Sequence, residues 1–169
     1  MNTRNRTARY RTFAYAVRLA GKDPRSPDDL AYSIAFPVAA AIVRGRLRPA
    51  ELQEATLDDP EILRLSRGME MVELSHYTAI STRQRWADVT LYLGDGRVLE
   101  SGPRTARGDP EAPLSDQEIL AKFHLFADPV LGPRRADEIA ALCSEIDGID
   151  CVEPLFSLVY ASAEAVKRQ

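Results

Sequence analysis

Side chains alternate along residues 7–17, with Arg9, Arg11, Phe13, Tyr15 and Val17 on one side and Ala8, Tyr10, Thr12, Ala14 and Ala16 on the other. A period of two predicts a strand, or a strand that turns into a short helix over 14–20, and residues 21–24 end it. Ser26-Pro27-Asp28-Asp29 then combines an N-cap hydroxyl, a proline at the first helical position and two acids where the helix dipole is positive. Leu30, Ala31, Ile34, Ala35, Val38, Ala39, Ile42 and Val43 follow at helical spacing, and Tyr32, Phe36 and Ala40 extend the apolar surface almost all round. A buried central helix over 27–44 is expected, kinked or divided by Pro37, which lacks an N–H and crowds the preceding turn.

Gly45 stops that helix, 49–54 fits a short helical turn, and Asp58-Asp59-Pro60-Glu61 starts a further helix to about Arg67. Residues 69–74 alternate as a strand, and 77–85 read as a loop. The segments 86–93 and 97–100, joined through Gly94-Asp95-Gly96, make a β-hairpin. After the turn-rich 107–113, Ser115 and Glu118 form a capping box for a helix to about Phe126. A last helix over 133–147 carries a stripe of Ile139, Leu142, Cys143 and Ile146 and stops at Gly148. Helices mixed with antiparallel strands give an α+β class, a small antiparallel sheet with packed helices.

Composition narrows the class further. A chain of 169 residues, 45% apolar and 28% charged, suits one globular domain that hides about 70% of its unfolded surface. The longest apolar stretch, 30–43, is 14 residues, whereas a membrane span needs about 20. With no secretory h-region either, a cytoplasmic location is expected. Cys143 and Cys151 lack any CxxC or zinc spacing and read as reduced and structural. The first 22 residues hold six bases and no acid. Residues 1–12 thus form a basic arm, in which Arg4, Arg6, Arg9 and Arg11 would grip phosphates, pair with acids on another chain or stay solvated. The acidic body behind them does not point to nucleic acid, and no membrane partner is expected.

The familiar catalytic signatures are missing: there is no phosphate loop, dinucleotide fingerprint, HExxH or nucleophile elbow. No metal and no cofactor is expected. His76, at a strand end, is either a general base or a solvated loop residue, and His124 reads as a helical residue at or near the surface. Glu51, Glu54, Asp58, Asp59 and Glu61 lie around helix starts, where acids stabilise the helix end. Arg107-Gly108-Asp109 reads as a turn. Tyr32, Ser33 and Phe36 are the candidate substrate-binding residues, because free N–H groups early in the central helix would attract a carboxylate. The bland reading of the same residues is an i, i+4 aromatic pair in the core with Ser33 bonding back to the helix.

The run Ser26-Pro27-Asp28-Asp29-Leu30-Ala31-Tyr32-Ser33-Ile34-Ala35-Phe36-Pro37-Val38-Ala39-Ala40-Ala41, followed by Gly45, resembles a signature stretch of the MmgE/PrpD family. Val89-Thr90-Leu91 with Asp95-Gly96-Arg97 is similar to its hairpin, and residues 107–118 with Lys122-Phe123 are similar to its "GdPenPLSdeEl..KF" signature. The family includes 2-methylcitrate dehydratase, cis-aconitate decarboxylase and iminodisuccinate epimerase. The resemblance implies a large helical domain and a smaller α+β lid in longer members, with a di- or tricarboxylate substrate between them. It places residues 13–169 in the C-terminal part of the lid, as one domain with the basic arm. It also implies that the family's acid–base residues lie in segments whose motifs are absent here. A lid tyrosine that approaches substrate in the dehydratase and decarboxylase branches aligns with Phe36, which has no hydroxyl. Lys122 is read as structural. The implied function is a stand-alone lid domain of a lyase or isomerase, completed by a separate helical domain. The rival is a non-catalytic homodimeric binding module or remnant of the family. An uncovered apolar patch is expected near Tyr32 to Phe36.

Overall fold

The computed structural model describes residues 7–19 and 21–160, so Arg4 and Arg6 of the basic arm lie outside the described residues. The chain divides into two compact units, Met1–Ala112 and Pro113–Gln169. No helix among the described residues is long and apolar enough to cross a membrane.

The first unit is built on a mostly antiparallel sheet. Strand β1 (Thr7–Thr12) is followed by helices α1 (Ala14–Arg18), α2 (Pro27–Ala31) and α3 (Ala35–Arg44), a 3-10 turn (Pro49–Leu52), α4 (Glu54–Leu57) and α5 (Pro60–Arg67). Strand β2 (Glu70–Glu73), helix α6 (Ser75–Ile80) and strands β3 (Trp86–Tyr92), β4 (Val98–Glu100) and β5 (Arg104–Thr105) complete it. The strand order is β2-β1-β3-β4, and β5 also pairs with β3. β1 and β2 run parallel, joined through the helices between them, while the other pairs are antiparallel. The register sets Ala8 opposite Leu91 and Tyr10 opposite Val89 and Met71 on one face, and Arg9 opposite Thr90 and Arg11 opposite Asp88 on the other. Helices α3 and α5 cover the first face, with Ala8, Phe36, Ala39, Ala40, Ile62, Leu65 and Met69 enclosed in the core.

The "basic arm" is therefore a sheet strand from Thr7 onward. Its arginines pair with acids of their own chain, an outcome the sequence pattern left unweighed: Arg9 Nε lies 2.7 Å from Glu70 Oε2, and Arg11 bonds Asp88. The expected helix over 27–44 is two helices, and the break falls at Tyr32-Ser33-Ile34, ahead of Pro37. In a continuous helix Pro37 would orphan the Ser33 carbonyl and press its ring against it. With α3 starting at Ala35, Pro37 sits in the first turn, where its N–H would have no intrahelical acceptor. Gly45 closes α3 with φ 71°, its N–H donating to Ala41 O at 2.9 Å.

Residues 77–80, the start of the expected loop over 77–85, fall instead in α6 (Ser75–Ile80). Tertiary bonds hold this short helix: Thr78 Oγ1 accepts from the Ala14 N–H at 2.9 Å and donates to Glu73 Oε1 at 2.9 Å. The hairpin follows expectation, with Leu93 N–H donating to Arg97 O at 2.9 Å across the Gly94-Asp95-Gly96 turn.

The second unit comprises α7 (Asp116–Leu131), α8 (Pro133–Ser144), a 3-10 turn (Ile146–Gly148) and α9 (Glu153–Tyr160). The Ser115/Glu118 capping box forms as expected. α7 runs past the expected end at Phe126 to Leu131, with Pro129 inside it, and Gly132 at φ 81° stops it. α8 ends at Ser144 rather than at 147, and α9 was not anticipated. Ala127, Ala136 and Ile139 are buried, and the Arg135 guanidinium donates to Leu158 O, tying α8 to α9.

Candidate functional site

Ser26 opens α2 by accepting the Asp29 N–H at 3.2 Å, and the chain leaves helical geometry at Tyr32. In the break, Ser33 Oγ accepts the Phe36 N–H at 3.2 Å and donates to Gly21 O. Ser33 thus caps α3 and ties it to the preceding loop. Pro37 has no N–H and Val38 donates to Ile34 O at 3.2 Å, so three of the first four positions of α3 offer no N–H to an anion. The expected i, i+4 aromatic pair does not form. Tyr32 is 69% exposed, whereas Phe36 is 0% exposed, inside the core. Of the three candidate substrate-binding residues, only Tyr32 is exposed.

The uncovered apolar surface lies farther along α3 than expected. Pro37, Val38, Ala41 and Ile42, with Leu47 beyond the helix, form one wall of an open groove of about 500 Å³. Val89, Leu91 and Leu99 form its floor on the face of the sheet that also carries the core. Leu47 and Leu99 are 46% and 47% exposed.

The opposite face carries a buried polar cluster that the sequence reading missed. Asp88, 4% exposed, accepts the Tyr77 hydroxyl at 3.0 Å on one oxygen and the Arg11 guanidinium on the other. Burial, then the bond to Asp88, pushes the Tyr77 phenol above its ordinary value. Burial also raises the Tyr10 phenol. The signal available in the sequence was the placing of Arg9 and Arg11 on one side of the alternation and Asp88 in the hairpin.

Helix starts use their acids as expected. Asp59 accepts the Glu61 and Ile62 N–H groups at 2.9 and 3.1 Å. Glu51 binds Arg46 and the Arg48 N–H, which hold its carboxyl below the usual range.

The model of the MmgE/PrpD C-terminal domain matches residues 6–146. The chain belongs to the MmgE/PrpD family. No curated protein matches it. The family match takes in β1 through α8 and stops before α9, so the C-terminal segment after 146 stands outside it.

Among the described residues, no three His, Cys, Asp or Glu side chains cluster as a metal site. His76 is exposed, its ring 4.3 Å from that of Tyr77. His124 sits on α7 with Nδ1 2.9 Å from Asp128 and Nε2 3.6 Å from Asp137. Lys122 is exposed on α7, without an acid partner among the described residues. Cys143 and Cys151, expected as reduced and structural, are free thiols, and both are exposed. His76, the candidate general base, has no hydrogen-bond or ion-pair partner among the described residues.

Proposed function

We propose that this domain forms the lid side of an MmgE/PrpD-type active site for a small di- or tricarboxylate, with the acid–base groups supplied by a helical domain of the same family. The observation that carries the reading is the apolar groove between α3 and the β3–β4 edge, in a chain whose family match spans residues 6–146. The groove supports the reading as an apolar surface open to a partner surface. The occupant the reading commits to is the helical domain, and Tyr32, exposed at the α2–α3 break, is the candidate to meet substrate. Lyase or isomerase chemistry in the cytoplasm follows from this reading.

The test is light scattering of the purified chain, alone and mixed with a helical-domain polypeptide of the family from the same genome, with carboxylate turnover assayed on each sample. A hetero-complex that turns over substrate while neither part does supports the lid. A homodimer that ignores the helical domain and turns over nothing overturns it in favour of a binding module.

A further inference from the structure

Helix starts do not use all the acids around α4 and α5. Asp59 alone accepts the first N–H groups of α5, and Glu51 binds Arg46 and the Arg48 N–H. Glu54, in the first turn of α4, and Asp58, at its C-cap, are exposed, and neither side chain has a hydrogen-bond or ion-pair partner among the described residues. Like charges four residues apart destabilise a helix, and Asp58 stands at the negative end of α4.

Both acids line a cleft of about 310 Å³ that is completed by the loop Asp23-Pro24-Arg25 and by Leu63 and Arg67 of α5. Arg67 is neutralised by Asp23, its Nη2 2.8 Å from Oδ1. The exposed Arg25 guanidinium has no ion-pair partner among the described residues, while its backbone N–H is held by Asp29 Oδ2 at 2.9 Å. Beneath these charges the lining is apolar, with Pro24 and Leu57 buried and Leu63 half-buried. Bonds within the unit set the walls: Ser66 Oγ donates to Lys22 O at 2.7 Å, which fixes the loop on α5, and Thr56 Oγ1 donates to Gln53 O at 2.7 Å within α4.

We infer that this cleft binds a free amino acid with an aliphatic side chain. Two carboxylates and one guanidinium without partners line a single small cavity, and they match an ammonium and a carboxylate carried by the same molecule. A simple anion would meet Glu54 and Asp58, and a simple cation would meet Arg25, so each is opposed by like charge. The apolar lining takes the side chain, and the volume, at the lower end of ligand cavities, suits one residue rather than a peptide. The site makes no use of the α3 groove and does not depend on the lid reading.

The experiment is calorimetric titration of the purified chain with leucine at constant ionic strength, with leucine methyl ester, N-acetylleucine and glycine as comparison ligands. Leucine binds saturably, and the comparison ligands, which lack the carboxylate, the ammonium or the side chain, each bind at least about tenfold more weakly. R25Q weakens leucine at least about tenfold and does not weaken the methyl ester. E54Q/D58N weakens leucine to a similar degree and does not weaken N-acetylleucine. R97Q, which breaks only the contact with Asp95, binds leucine as the parent does. Circular dichroism shows the variants folded. No saturable binding of leucine by the parent chain, or a comparison ligand bound as tightly, overturns the inference without any variant. Leucine binding unchanged in R25Q or in E54Q/D58N also overturns it.

Discussion

The Tyr77 hydroxyl donates to Asp88 across 3.0 Å, which fastens α6 to the middle of the sheet. Arg11 takes the other carboxylate oxygen, so a side chain only 4% exposed has both oxygens satisfied by residues 11 and 77 positions away along the chain. This cluster stands on the polar face, and the core stands on the other.

Replacing Asp88 by Asn removes the charge from this cluster and leaves one donor facing another. D88N is expected to lower unfolding free energy by about 2–3 kcal/mol, the cost of breaking a buried charged hydrogen-bond pair. Urea denaturation with a folded-state spectrum matched to the parent measures it, and a loss under about 0.5 kcal/mol would remove the cluster from the stability of the unit.

The raised phenols of Tyr77 and Tyr10 predict an alkaline limit. The unfolded chain releases these protons first, near the ordinary value of about 10, while the folded chain still holds them. Between the two values the unfolded state binds fewer protons, so stability falls as pH rises. Thermal melts from pH 8 to 11 are expected to show a constant midpoint up to about pH 9.5 and a decline beyond it. In Y77F the decline is shallower.

Phe36 is wholly enclosed. F36Y puts a hydroxyl in the core with no partner among the neighbouring apolar side chains. A loss of about 1–3 kcal/mol is expected, with no gain of turnover in any mixture. A variant as stable as the parent would show that the ring edge reaches a polar partner or solvent.

Leu99 is half exposed on the floor of the groove. L99K is expected to change stability by no more than about 0.5 kcal/mol, as substitutions at the surface do. It is also expected to abolish the hetero-complex in light scattering. A complex that forms unchanged would place the helical domain elsewhere.

The sequence by itself determined the local elements whose signals are self-contained. Ser26-Pro27-Asp28-Asp29 starts α2, Asp59-Pro60 starts α5 and the Ser115/Glu118 box starts α7, because a capping side chain and its free N–H groups lie within three residues of each other. The β3–β4 hairpin was legible for the same reason, and the family motifs fixed membership. Proline positions were legible as constraints, but their outcome was not: Pro37 required a break, and the bond of Ser33 to Gly21, twelve residues earlier, decided where it fell.

The candidate site was less legible than the fold. Helical spacing put Tyr32, Ser33 and Phe36 on one element, yet the break turned Tyr32 outward and Phe36 into the core. Only tertiary structure paired β1 with β2 and β3, and so brought Arg11 onto Asp88 and set Arg104 opposite Ala87. Periodicity assigns a residue to a side of its own strand, but which strands become neighbours depends on burying one face of the whole sheet. That choice is made by α3 and α5 covering Ala8 and its neighbours, through contacts between residues far apart in the chain.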